Sequence, residues 1–532
     1  MQALLKNKLR SLCFIVPLFI FYIIIIFRIF SLALDQFSAT ENLKKSNRAY
    51  KQPDILDRNG VVIATNVPTT SLYIDSTRVK NPESIAAQLC STLNDLEYEN
   101  LYKVLTSKKK FAWIKRHLTP KELLTIKSSG VPGVNFYDDT KRIYPHSNLF
   151  AHALGYTDID GNGIAGIEAY INKAGLQRHD AGITPDKYVQ LSLDARVQSI
   201  VHEELIKAVS RHQALGGVGI VLNVKNSEII SMVSLPDFNP NLQNKAEDVQ
   251  KFNRASLGVY EMGSVLKFFT VAAALDANIV KTSDLYDVST PITIGKYKIY
   301  DLYKFKIPEV TVRDIFVKSS NIGAAKIATK LGIEKQVEYF KAMKLFSPLK
   351  IEIPEKSTPI IPDKWSESTL VTASYGYGIA VTPIHLAQTA AALINNGIFH
   401  NATLMLNKKS IGEQIISRST SREIRKLLRA AVTDGTGRKA SIKAYSIGGK
   451  TGSAEKVVNG KYSKDANIAS FIGVLTTLDP RYIVLIIIDE PQGMHHTGGA
   501  AAAPVVKNII NKIAPILNVT PEIYGLAHEL VM

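Results

Sequence analysis

Three short runs in this sequence combine hydroxyls, lysines and a carboxamide in ways that could transfer an acyl group. Ser264-Val265-Leu266-Lys267 sets an amine three residues after a hydroxyl, Ser319-Ser320-Asn321 sets a carboxamide two residues after one, and Lys450-Thr451-Gly452-Ser453 joins a cation to two more hydroxyls. On a helix the first spacing puts Ser264 and Lys267 on one face, one turn apart. Leu266, Phe268, Phe269 and Val271 make that helix apolar all round, which marks it as buried. A lysine there loses water, its charged form is disfavoured and its pKa falls. A neutral amine within reach of a hydroxyl is a general base. Ser264, just after Gly263, opens the helix at its positive end, where an oxygen gaining negative charge is stabilised. Taken alone, this run is better explained by a lysine snorkelling from a core helix. The other two runs reverse that balance.

Lys318 to Ile322 opens a second helix, expected over residues 323–331, and its serine and asparagine also suit a plain helix cap. Gly448-Gly449-Lys450-Thr451-Gly452-Ser453 follows a strand-like run, Ala444 to Ile447. Glycines in a strand admit another backbone, here a peptide laid along the edge. Lys450 supplies charge for a C-terminal carboxylate, and the hydroxyls of Thr451 and Ser453 can bond it. In this order the three runs resemble the SxxK, SxN and KTG elements of the serine β-lactamase and penicillin-binding protein superfamily. The resemblance implies that Ser264 is the nucleophile and Lys267 its base, that Ser319 relays a proton, and that Asn321 holds the substrate's peptide group. It implies that Lys450, Thr451, Gly452 and Ser453 bind substrate, and that the oxyanion hole uses the N–H groups of Ser264 and Ser453. Many relatives carry threonine where Ser453 stands, and serine keeps the hydroxyl.

The resemblance spans nearly the whole chain. Asp57-Arg58-Asn59-Gly60, Arg142-Ile143-Tyr144-Pro145, Gly155-Tyr156 and Gly166-Ile167-Glu168 resemble the N-terminal pedestal of class B penicillin-binding proteins. Pro236 to Asn241, Asn253-Arg254-Ala255 and Tyr260 to Ser264 resemble the start of their transpeptidase domain. Tyr375-Gly376-Tyr377-Gly378 with Val381-Thr382-Pro383, Asp434-Gly435-Thr436-Gly437 and Ala502-Ala503-Pro504-Val505 resemble later landmarks. Glu261-Met262 resembles the division-specific branch, since the elongation branch usually has prolines there. The class A glycosyltransferase motif EDxxFxxHxG and the class A β-lactamase motif ExxLN are both missing. The implied function is cross-linking of peptidoglycan stem pentapeptides through a serine acyl-enzyme open to β-lactams. Strand polymerisation falls to a membrane-bound partner polymerase beside other cell-division proteins, and no cofactor is implied. The alternatives are an elongation-specific enzyme, a D,D-carboxypeptidase or β-lactamase with water as acceptor, and a non-catalytic β-lactam sensor or division scaffold.

The elements that must position these residues follow from the rest of the 532-residue chain, long enough for two or three domains. Apolar content of 46% with 21% charged residues excludes global disorder. The net charge of +17 is spread along the chain and suits membrane lipid or a cell-wall polymer, while no nucleic-acid signature accompanies it. Leu12 to Phe27 carries no charge, Ile29 to Leu34 extends it, and Lys6, Lys8 and Arg10 precede it. That predicts an uncleaved inner-membrane anchor with a cytoplasmic N-terminus and an outer, periplasmic catalytic part. The expected divisions are a tail (1–10), an anchor (11–34), a linker (35–50), a mixed α+β pedestal (51–190) and a transpeptidase domain (191–532). In the last, a hairpin (218–224 and 228–235), the apolar helix (265–275) and strands at 444–447, 469–475 and 482–488 predict an α/β domain with a largely antiparallel sheet flanked by helices.

Weaker motifs resolve into turns and isolated residues. Gly161 to Gly166 matches GxGxxG, yet no apolar strand feeds it. Asp158, Asp160 and Asn162 start a calcium loop whose twelfth position is Ala169, so a glycine-rich turn is expected. His202-Glu203-Glu204 lacks a second zincin histidine, and His495-His496 lacks partner ligands, so surface histidines are expected and no metal site. There is no GxSxG elbow. Cys13 and Cys90 give no disulfide framework.

Overall fold

The computed structural model describes residues 21–28, 52–176, 188–295, 297–493 and 496–522. Residues 21–28 are helical and exposed; the rest of the expected anchor, the tail and the linker lie outside the described residues, as does Cys13. Among the described residues no helix is long and apolar enough to cross a membrane.

Two sheets organise the chain from Gln52 onward. The first takes β1 (Asp54–Leu56), β2 (Val62–Ile74), β3 (Ala112–Leu118), β4 (Val134–Ile143) and β5 (Tyr188–Gln190) in the order β3-β2-β1-β5, with β4 also paired to β2. Near its two ends β2 buries Ile63 and Ala64, then Leu72 and Ile74, while its polar middle is partly exposed. Pro68 is tolerated there because β2 pairs with β4 alone at that point, β3 joining only from Thr70. Helices α1 (Pro82–Thr92), α2 (Tyr98–Leu105) and α3 (Pro120–Ser129) cover one face, burying Leu89, Leu101 and Ile126 against Leu72 and Ile74. A capping box between Thr119 and Glu122 starts α3, with Pro120 in its first turn, and α4 (Gly166–Lys173) follows β4 in the chain.

The second sheet has the order β8 (Gly448–Val458), β9 (Lys461–Leu475), β10 (Tyr482–Asp489), β6 (Gly216–Asn223), β7 (Ile229–Leu235), antiparallel throughout. Alternate residues of β10 enter opposite cores. Ile483, Leu485 and Ile487 join the cluster containing α6 (Lys267–Asp276), while Val484, Ile486 and Ile488 join that of α5 (Ala195–Arg211) and the C-terminal helix Ala503–Ile516. Burial on both faces explains why β10 is apolar at every position from Tyr482 to Ile488 rather than at every second one. The observed fold is therefore the expected helix–sheet–helix domain, with β9 reaching back to Lys461 from the expected 469 and a further shift before it. Residues 444–447 form no strand, and β8 begins at Gly448, so the KTG run is the strand itself. The β-propensity of glycine is low, which hid this, but close packing requires glycine there: a Cβ on Gly452 would lie 2.2 Å from Ser470 Oγ and 2.6 Å from the Met262 carbonyl.

The pedestal's foot and the catalytic core meet. Ile55, Ile63, Leu154 and Ile167 belong to the same buried cluster as Phe268 and Phe269. The Asp57 carboxylate closes the Asp-Arg-Asn-Gly turn, accepting from the N–H groups of Asn59 (2.7 Å) and Val61 (2.9 Å). Its other oxygen accepts from Ala195 N–H at 3.0 Å, tying that turn to the start of α5, which Asp194 caps.

Candidate active site

Ser264 lies in a 3-10 turn, Gly263–Leu266, that leads directly into α6. The turn is pressed against β8. Gly263 has φ +52° and a Cβ there would stand 2.2 Å from the Ser453 carbonyl, so this position needs glycine on both counts. Gly376 backs the turn from the other side, its missing Cβ falling 1.9 Å from the Gly263 carbonyl.

Lys267 is fully buried, and burial, then the charge of Lys450, holds its pKa well below the usual lysine range. Its Nζ lies 2.6 Å from the Ser319 carbonyl, 2.7 Å from Asn321 Oδ1, 3.0 Å from Ser264 Oγ and 3.1 Å from Ser319 Oγ. The two carbonyl-type oxygens can only accept, so in the neutral form of the amine they take both N–H bonds. That form leaves the lone pair for a hydroxyl proton. Ser319 is the C-cap of helix α7 (Val312–Lys318), a non-glycine residue in the left-handed region at φ +63°. That conformation costs energy and turns the Ser319 carbonyl and hydroxyl onto Lys267 together.

Lys450 is also fully buried, and desolvation lowers its pKa to about 7. Its Nζ donates to Ser319 Oγ at 2.9 Å, so one hydroxyl bridges two lysines. Thr451 Oγ1 meets Thr436 Oγ1 at 2.8 Å, and Ser453 Oγ accepts from Gly498 N–H at 3.0 Å. All the expected site residues are thus brought together, although Gly452 serves close packing of strand on turn.

Two features escaped the sequence reading. Helix α8 (Asn321–Leu331) starts earlier than expected, and its N-cap is Ser320, whose Oγ accepts from Gly323 N–H at 2.8 Å. Asp301, twenty residues earlier, accepts from the N–H groups of Asn321 (2.5 Å) and Ile322 (3.0 Å) and from Ser320 Oγ (2.7 Å). It therefore anchors the SxN run at the positive end of α8. Asn321 Nδ2 donates to the Tyr300 carbonyl at 3.0 Å, which fixes the carboxamide with Oδ1 toward Lys267. No local pattern links Asp301 to that run; only the fold does.

The remaining motifs have structural partners. The Asp158 carboxylate knits its own loop, accepting from Asp160 N–H (2.9 Å) and Asn162 N–H (2.8 Å), and Arg116 reaches Asp160. Contrary to the surface reading, His202 is largely buried and faces the Asp237 carboxylate at 2.6 Å. His495 lies outside the described residues. Cys90 is a free thiol.

An antiparallel sheet between helical layers, with a serine at a helix start, a water-deprived amine beside it and a cationic strand edge, defines an active-serine acyl-transferase of the β-lactamase-like fold. Residues 217–511 match the penicillin binding protein transpeptidase domain, and residues 53–180 the penicillin-binding protein dimerisation domain. A probable peptidoglycan D,D-transpeptidase FtsI of Caulobacter vibrioides is 35% identical over 88% of this chain and 81% of its own. Peptidoglycan D,D-transpeptidase FtsI of Escherichia coli K12 is 28% identical over 88% of this chain and 84% of its own. In fold, the chain is similar to penicillin binding protein 3 of Mycobacterium tuberculosis crystallised with ampicillin. The TM-score is 0.70 at 22% identity, over 89% of this chain and 97% of that one. The chain belongs to the class B penicillin-binding proteins, which pair a transpeptidase domain with an N-terminal dimerisation domain.

Proposed function

We propose that this chain is a peptidoglycan D,D-transpeptidase acting in septal wall synthesis, with Ser264 as nucleophile and Lys267 as general base. Lys267 takes the Ser264 hydroxyl proton as Oγ attacks the carbonyl of the penultimate D-alanine in a stem pentapeptide. The Ser264 and Ser453 N–H groups hold the resulting oxyanion. The C–N bond breaks, a proton passes through Ser319 to the departing D-alanine amine, and an ester remains on Ser264. An amine of a neighbouring stem then attacks that ester, loses its proton by the same route and frees Ser264. Lys450, with Thr451 and Ser453, holds the terminal carboxylate, and Asn321 holds the stem's peptide group. β-Lactams acylate Ser264 because they mimic the D-Ala-D-Ala end.

One observation carries this reading: Lys267 Nζ stands 3.0 Å from Ser264 Oγ, with the Ser319 carbonyl at 2.6 Å and Asn321 Oδ1 at 2.7 Å as acceptors for its hydrogens. Glu261-Met262 and the names of the relatives support the septal assignment. The basic N-terminus and the apolar run after it support a single-pass inner-membrane anchor, with the pedestal (51–190) and transpeptidase domain (191–532) in the periplasm beside a glycan-strand polymerase and division proteins. Fluorescent penicillin should label the wild-type chain and leave Ser264→Ala blank; a labelled Ser264→Ala would end the assignment. Product analysis with and without an acceptor amine separates transpeptidation from hydrolysis.

A further inference from the structure

The free edge of β8, where this reading lays the donor peptide, does not run open to the end of the strand. In an antiparallel ladder the N–H and C=O of one residue face the partner strand and those of the next face away. Glu455 N–H faces away from β9 and donates to the Tyr377 hydroxyl at 3.1 Å. Ser453 and Thr451, two and four residues back with no bulge between them, present the same outer edge. A peptide adding to β8 therefore finds the rungs of Thr451 and Ser453, of which the Thr451 carbonyl also accepts from Lys450 Nζ at 3.3 Å. The third is already filled by a side chain.

The tyrosine is itself held in place. Its ring packs edge-on to Tyr462 at 5.1 Å, in the hairpin that joins β8 to β9, and lies 5.9 Å from Tyr375. Tyr462 donates its hydroxyl to Glu261 Oε1 at 3.0 Å, and Gly378 N–H donates to the same oxygen at 2.6 Å. Glu261 sits three residues before Ser264, on a two-residue strand paired to Ala380–Val381. One carboxylate thus clasps the hairpin tip, the loop carrying Tyr377 and the segment leading to the nucleophile. None of these groups is used in the acyl-transfer chemistry above.

We propose that Tyr377, held by the Glu261–Tyr462 clasp, is the end stop of the donor-strand site and sets how much of a stem peptide pairs with the sheet. The D-Ala-D-Ala end pairs along Thr451 and Ser453, and the rest of the stem is turned off the edge at Glu455. Tyr377 is a specificity-determining residue in this arrangement, and Glu261 is a positioning residue.

The test compares two donors in the full chain: an N-acetylated D-Ala-D-Ala dipeptide and a pentapeptide of the whole stem. The quantity read is the ratio of their kcat/KM values. Tyr377→Phe keeps the ring and frees the Glu455 N–H, so the ratio should shift toward the long donor by about threefold to tenfold, the worth of one added hydrogen bond. Adding Glu455→Pro removes that N–H and should return the ratio to the wild-type value. Glu261→Ala should move the ratio the same way as Tyr377→Phe, and Glu261→Gln, which keeps the acceptor, should restore it. An unchanged ratio in Tyr377→Phe, or an equal change for both donors, overturns the end stop; an unchanged ratio in Glu261→Ala overturns the clasp. Penicillin labelling of the wild-type chain reads the underlying assignment separately, since its failure would defeat Ser264 whatever the ratio does.

Discussion

At the foot of the pedestal, Arg142 is buried with its Nε 2.7 Å from Glu168 Oε1, and both side chains are almost wholly inaccessible. At the catalytic sheet, Lys267 and Lys450 are buried just as deeply, and neither touches a carboxylate. The two regions bury positive charge by opposite means. The guanidinium cannot shed its proton, so it must bring a counter-ion with it. The amines can, so burial without a partner pushes their pKa values down, and the second cation lowers the first further. A neutralised buried charge holds structure, while an unneutralised one stores the capacity to accept a proton. The cost in stability falls where the chemistry is.

The sharpest way to break that comparison is to delete the base. Lys267→Ala should cut penicillin acylation by about 10²–10⁴, the usual worth of a general base, while leaving the chain folded. Stopped-flow acylation measures it, and an unchanged rate would mean that Lys267 is as structural as Arg142. The converse deletion should hurt stability. Arg142→Met leaves Glu168 buried without a partner and should cost about 3–5 kcal/mol in denaturant unfolding, whereas the double change with Glu168→Leu should recover most of it.

The smallest effect lies in pH. Lys450 is charged below about pH 7 and neutral above it, and only the charged form attracts the donor's carboxylate. The second-order acylation rate should fall as pH rises through about 7, while a donor with an amidated C-terminus should lack that limb. The linked effect on stability has the opposite sign. Between about pH 7 and the ordinary lysine value of 10.5 the unfolded chain holds a proton that folded Lys450 has released, so stability should rise with pH across that window.

Local features of the chain were readable because their physics is local. The i,i+3 spacing of Ser264 and Lys267 places them together in any helix, and an apolar run such as 265–275 buries itself in any compact fold. The hairpin of β6 and β7 and the apolar run 482–488 of β10 are of the same kind. Where one element's residues answer to another's, local pattern falls short. Glycine has little β-propensity, so the run at Lys450 does not look like a strand, and its glycines are explained only by the turn packed on them.

The sequence by itself determined which groups could react and in what order they occur along the chain, since residue type and short spacing survive without a fold. Tertiary structure alone decided that Ser319 bridges two lysines, that Asp301 reaches the SxN run across twenty residues, and that Tyr377 closes the edge of β8. The reason is that desolvation and hydrogen bonding depend on neighbours in space, and the pKa of a lysine is settled by the water and charges that its surroundings take away or supply.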